Sequence, residues 1–195
     1  MEKLNGMLAL LCGEFDNAEQ YRRMQEQGET AFPFAEHRNT PCNDKIRGLP
    51  EGFSGVFVLE ESYYTAGGKT HASPHLFLFT EEGDGVRLDS YELPAKAGEP
   101  LTYASFEPVG FAALRVSAKF TPAVYRLRDG VWEGGSVSMF SPVLKFTLFE
   151  RFSPEVLEVQ ETMEVNGRRT FGYDEPILYR RRAPEAGKPR ETAEF

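Results

Sequence analysis

The stretch PAVYRLRDGVWEGGSVSM (Pro122–Met139) decides the fold. Two runs carrying Val, Tyr and Trp meet at Asp129-Gly130, and Asp-Gly is a pair that accepts positive φ at both central positions of a two-residue type I′ turn. The same signal recurs in VNGR (Val165–Arg168), around Asn166-Gly167. Both predict tightly paired antiparallel strands. From Phe53 onward the apolar residues recur with period two in short runs bounded by Gly, Pro, Asn and Asp, the pattern of an antiparallel sandwich or barrel. The candidate strands are 54–65, 73–80, 86–93, 100–108, 110–120, 122–128, 131–139, 143–151, 155–165 and 169–182 with a break. In FAALRVSAKF (Phe111–Phe120) the alternation puts Ala112, Leu114, Val116, Ala118 and Phe120 on one face and Arg115, Ser117 and Lys119 on the other.

The N-terminal part has a different period. Leu4, Leu8, Leu11 and Phe15 are spaced by three and four, as on one face of a helix. Asp16 stands three before Glu19, a capping arrangement that starts a second helix with Ala18, Tyr21 and Met24 along its apolar stripe. Gly28 is the left-handed stop. Two helices are therefore expected at about residues 3–27, leading into one barrel domain that ends near residue 183, with a disordered tail over 184–195. The run MLALLC (Met7–Cys12) is shorter than a signal h-region or a membrane span, and Leu11 occupies the place where a lipoprotein signal wants a small residue. A cytoplasmic protein that does not engage a membrane is the expectation.

Composition narrows the function classes. With 22 basic against 30 acidic residues the net charge is −8, so a polyphosphate surface is repelled and nucleic acid is excluded as a partner. The basic run YRRRAPEAGKPR (Tyr179–Arg190) reads as a solvated strand end and tail. Cys12 and Cys42, the only cysteines, have no CxxC or His-rich surroundings, so neither a disulfide framework nor a zinc site is indicated. Cys12 reads as a buried, inert thiol. His71 and His75 stand four apart, but on a strand that spacing separates them by about 13 Å, too far for one metal ion. GDG (Gly83–Gly85) and EGG (Glu133–Gly135) are read as hairpin turns rather than phosphate loops, and Trp132 as a packing plug. No cofactor is called for.

Two acids lie on apolar parity. In VFVLEESYY (Val56–Tyr64) Glu60 shares a face with Val56, Val58 and Tyr64, and in VLEVQETMEV (Val156–Val165) Glu161 shares one with Leu157, Val159, Met163 and Val165. An inward carboxylate must be paired, hydrogen-bonded or protonated. It would be a polar anchor in a ligand cavity. The plainer reading is an edge position, a parity-shifting bulge, or a structural acid satisfied by Arg38, Arg126 or Arg180.

LLCGEFDNAEQ (Leu10–Gln20), FAEHRNTP (Phe34–Pro41), GVFVLEESYY (Gly55–Tyr64), PHLFLF (Pro74–Phe79) and FGYDEPILYRRR (Phe171–Arg182) follow in an order that resembles the CpcT/CpeT family of phycobiliprotein bilin lyases. The resemblance implies an all-β, lipocalin-like (calycin) antiparallel β-barrel with N-terminal helices. It also implies attachment of a linear tetrapyrrole to a cysteine of a protein partner. Glu60 matches the Glu of the family's strand; Glu61 stands where the family has Gln, and Pro74 to Phe77 replace an arginine-bearing segment. The site expected is Glu60 with Tyr64, Arg38 and Glu161 around a small apolar or tetrapyrrole ligand. The alternative is an interaction module whose barrel is filled by its own Phe and Tyr side chains. A protein partner and a homodimer are both left open.

Overall fold

A computed structural model describes residues 2–94 and 100–183. The chain runs α1 (Glu2–Leu11), β1 (Gly13–Asp16), α2 (Ala18–Glu26), β2 (Phe34–Pro41), β3 (Ile46–Arg47), β4 (Val56–Ala66), β5 (Lys69–Glu82), β6 (Gly85–Tyr91), β7 (Val109–Gly110), β8 (Ala123–Arg128), β9 (Val131–Met139), β10 (Leu144–Phe152), β11 (Leu157–Val165), β12 (Arg168–Phe171) and β13 (Ile177–Arg181). Ten strands follow one another in the order β10-β9-β8-β6-β5-β4-β2-β1-β13-β11, and β11 returns to β10. Every pairing is antiparallel, from Val86↔Tyr125 between β6 and β8 to Phe146↔Met163 between β10 and β11. The result is a closed barrel with two short helices, the architecture expected of a lipocalin-like fold. Closure leaves none of the ten barrel strands with an open edge. β12 pairs only with β11, and β3 and β7 form a separate parallel pair.

The turn chemistry behaves as expected. Asp129 and Gly130 take φ of 50° and 80°, Asn166 and Gly167 take 51° and 75°, and each pair links neighbouring antiparallel strands. Gly28 has φ 84° just beyond α2. Between the helices the chain departs from expectation: Gly13, at φ 137°, ends the helical path, so Phe15 is buried from β1 rather than from α1. The cap of α2 is Asn17, while Asp16 still accepts the Ala18 amide at 3.0 Å. Leu4, Met7, Leu8 and Leu11 of α1 are buried in the main core, and α1 packs against β5, β6 and β10. Gln20 of α2 clamps β13, giving a hydrogen bond to Pro176 O and accepting one from Leu178 N, both 2.8 Å.

β4 and β5 are buried on both faces. Val58 and Phe79 point into the barrel, whereas Phe57, Leu59, Leu76 and Leu78 form an outer core with Cys42, Ile46, Leu101 and Phe106. The segments before β4 and after β6 wrap the barrel there. This corrects two expected strands. Residues 100–108 contain no strand, and 110–120 contain only Gly110 at the end of β7, a short 3-10 turn at Phe111–Ala113 and a lone bridge between Val116 and Tyr91. β1 and β2 are strands that hydrophobic alternation did not predict. Gly134 and Gly135 lie inside β9, not in a turn; a side chain at either would meet a neighbouring strand's carbonyl, Val124 O or Leu148 O. The expected tail, 184–195, lies outside the described residues. Among the described residues no helix is long and apolar enough to cross a membrane.

Candidate functional site

The barrel interior is not purely apolar. Alternation turns His37 and Asn39 of β2, Glu60 of β4, His75 and Phe77 of β5, Glu150 of β10 and Glu161 of β11 toward one cavity of about 60 Å³. By the volume one water requires, that is room for several water-sized groups. Leu11, Val58, Phe79, Leu88, Phe146 and Phe152 supply apolar walls. Toward the β9–β10 turn, Phe120 meets Phe140 edge-on at 5.2 Å, Phe140 stacks on Phe146 at 5.5 Å, and Lys119 Nζ lies 4.2 Å over the Phe140 ring.

Glu60 faces inward, as its parity predicted. Its Oε1 accepts a hydrogen bond from Ser62 Oγ at 2.9 Å, and its Oε2 lies 3.6 Å from His37 Nδ1. Burial pushes His37 down to about 3, so the imidazole is neutral near pH 7 and this contact is not an ion pair. The ring lies 4.2 Å from Tyr179 and meets Tyr64 edge-on at 6.3 Å, with Nε2 3.4 Å from the Tyr64 hydroxyl. Across the β4–β5 pair Glu60 is opposite His75, which burial also lowers, and which stacks on Phe77 at 5.6 Å. Burial raises Glu60; His75 and the Ser62 hydrogen bond act in the opposite direction.

Glu150 is the acid that sequence reading missed. It is 8% exposed, and its Oε2 accepts a hydrogen bond from Tyr125 Oη. Burial pushes it up to about 8. Glu161 rises to about 7, first through burial and then through repulsion from Glu60. No hydrogen-bond donor among the described residues reaches its carboxylate. Tyr64 and Glu161 also line an adjoining niche of about 10 Å³ with Tyr173 and Ile177, enough for about one water.

Arg38 does not belong to this site. The register pairs Arg38 with Glu61 and Asn39 with Glu60, so Asn39 points inward and the half-exposed Arg38 points outward. Its Nε lies 3.1 Å from Glu14, and its Nη1 4.0 Å from the buried Glu61. Arg126 pairs with Asp84, and Arg180 lies near Glu19 and donates to Glu155 O, so none of the three arginines proposed as structural partners reaches Glu60 or Glu161. Glu60, Tyr64 and Glu161 are brought together; Arg38 is separated from them by the wall itself. Glu150 was legible by the parity that found Glu60, because Phe146, Leu148, Glu150 and Phe152 share one face. His75 was legible in the same way, sharing a face with Phe77 and Phe79, whereas His37, between Ala35 and Asn39 on its face, carried no such signal.

Cys12 and Cys42 are free thiols, each pushed up to about 12 chiefly by burial, as suits inert packing. Trp132, 3% exposed, packs in the main core. Among the described residues no three His, Cys, Asp or Glu side chains are grouped to hold a metal ion. The chain matches no protein-family model and no curated protein.

Proposed function

We propose that this chain is a small-molecule-binding barrel whose ligand enters the cavity between β2, β4, β5, β10 and β11. The observation that carries the reading is the inward carboxylate of Glu161, which faces cavity space and has no protein donor among the described residues. A side-chain-filled core has no use for an inward acid that burial holds partly protonated and that no described side chain satisfies. A binding site uses it as an anchor.

The resemblance to bilin lyases makes a linear tetrapyrrole the first ligand to test, and attachment of that chromophore to a cysteine of a partner protein the activity to test after it. Its pyrrole N–H groups are donors suited to Glu60, Glu150 and Glu161. Its propionates would find no arginine in the cavity lining among the described residues. A molecule of that size also exceeds the room now present, so Phe120 and Phe146 would have to swing aside. The small volume is the observation favouring the second reading, an interaction module with a largely filled barrel.

Titration with a linear tetrapyrrole and with a fatty acid, followed by absorbance and by Trp132 emission, tests both readings. A ligand-binding barrel gives saturable tetrapyrrole binding that Glu60→Gln weakens without lowering the thermal midpoint. Loss of stability in Glu60→Gln, together with no ligand bound by the native protein, favours the filled module.

A further inference from the structure

The hydrogen-bonding groups around the cavity are out of balance. Three carboxyl groups, those of Glu60, Glu150 and Glu161, line it, and among the described residues no Lys or Arg does so. The two imidazoles beside them are held neutral by burial. Asn39 adds an independent observation. It is 2% exposed and lines the same cavity; its Nδ2 donates to Leu11 O at 3.0 Å, while its Oδ1 is buried without a hydrogen-bond partner. Because Leu11 O can only accept, that bond fixes the amide orientation and leaves Oδ1 as an unused acceptor. One carboxyl oxygen of Glu150 is satisfied by Tyr125 and one of Glu60 by Ser62, but among the described residues none donates to Glu161. The hydroxyls of Ser90, Thr121 and Ser136 also line the cavity, but they are neutral, and among the described residues no Lys or Arg faces the three acids.

Resting on the ligand-binding reading above, we infer that the cavity selects a compact organic cation bearing several N–H donors, of the guanidinium or ammonium class, and rejects carboxylates. Burial holds Glu150 at about 8 and Glu161 at about 7, so both carry protons near neutral pH; a cation drawn between them would displace those protons and pair with the carboxylates, which water does not do. A planar guanidinium presents its N–H groups in a fixed fork that matches carboxylate oxygens. At about 60 Å³ the cavity has room for a group of a few non-hydrogen atoms. On a larger ligand this cationic or N–H-rich part enters first, and any anionic part stays at the barrel mouth.

The test uses methylguanidinium, its neutral isostere N-methylurea, and acetate at millimolar concentrations, with thermal shift and calorimetric titration of the intact chain. The expected result is saturable binding and a raised midpoint with methylguanidinium only, and at least tenfold weaker binding in Glu161→Gln. Glu60→Gln serves as the second variant if Glu161→Gln does not fold. Preference for acetate, equal binding of N-methylurea, or unchanged methylguanidinium affinity in a folded variant overturns the inference while leaving a binding barrel. No response to any of the three overturns it as well. Only a further failure of the tetrapyrrole and fatty-acid titrations would remove the ligand-binding reading itself.

Discussion

Glu150 and Glu161 keep their protons to higher pH than carboxyls in water because the barrel removes solvent from them, and this ties folding to pH. Their folded values, about 8 and about 7, lie above the ordinary 4.5, so between those limits the folded state holds protons that the unfolded chain has released. Their contribution to stability is fully present below pH 4.5 and is lost as pH rises through 7 and 8. His37 acts in the opposite sense: its value falls from 6.5 to about 3, so the unfolded chain takes up its proton first, and stability rises with pH only below 6.5. His75 shares that direction. The two effects oppose one another below pH 6.5, and only the acids act above it. Stability is therefore expected to fall between pH 6.5 and about 8.5, measured by urea denaturation with Trp132 as reporter. Glu150→Gln should flatten the slope, since the amide keeps an acceptor for Tyr125 and has no proton to lose. A wild-type slope that Glu150→Gln leaves unchanged would show that another group titrates.

At the scale of elements, the same substitution should have opposite signs at two glycines. Gly130 holds φ 80° in the β8–β9 turn, where an L side chain meets its own backbone, so Gly130→Ala should cost about 1–2 kcal/mol. Gly6 is exposed within α1, and a methyl group there would meet nothing within 4 Å, so Gly6→Ala should stabilise by about 0.5–1 kcal/mol. Thermal midpoints of the two variants check the pair. Asp-Gly turns were legible because their chemistry is local. Residues 110–120 were misread because alternation says which face a residue would take, not that a neighbouring strand exists to pair with it; Val116 is 54% exposed. β2 was hidden for the converse reason. Its inward residues are Ala35, His37 and Asn39, so a polar interior erased the apolar signal by which strands are recognised. Glu60 remained visible because its face neighbours on β4 are Val56 and Val58, while Arg38 was misplaced because register, not proximity in sequence, decides which partner a side chain meets.

For the molecule as a whole, the least legible step was closure. β13 bonds to β1 on one side through Phe15↔Arg181 and to β11 on the other through Leu157↔Tyr179, so the barrel closes by joining segments from opposite ends of the chain. Arg181 strengthens this seam, donating to Cys12 O at 2.6 Å and Leu10 O at 2.8 Å and lying 4.6 Å over the Phe15 ring. Tyr179 reaches into the interior as one of its largest buried side chains. Removing β13 would strip hydrogen-bond partners from β1 and β11, release α2 from the Gln20 clamp and open the cavity to water. Such losses cannot stay local in a closed sheet. Truncation after Pro176 is therefore expected to abolish cooperative unfolding and to shift Trp132 emission to the red, although Trp132 lies on β9, with β10 and β11 between it and β13. Arg181→Met keeps β13 but removes its bonds to the end of α1, and should retain the native emission while lowering the urea midpoint. Native emission and a single sharp transition in the truncated chain would mean that the remaining nine strands hold the core without closure, and the cavity would then be an open trough rather than an enclosed site.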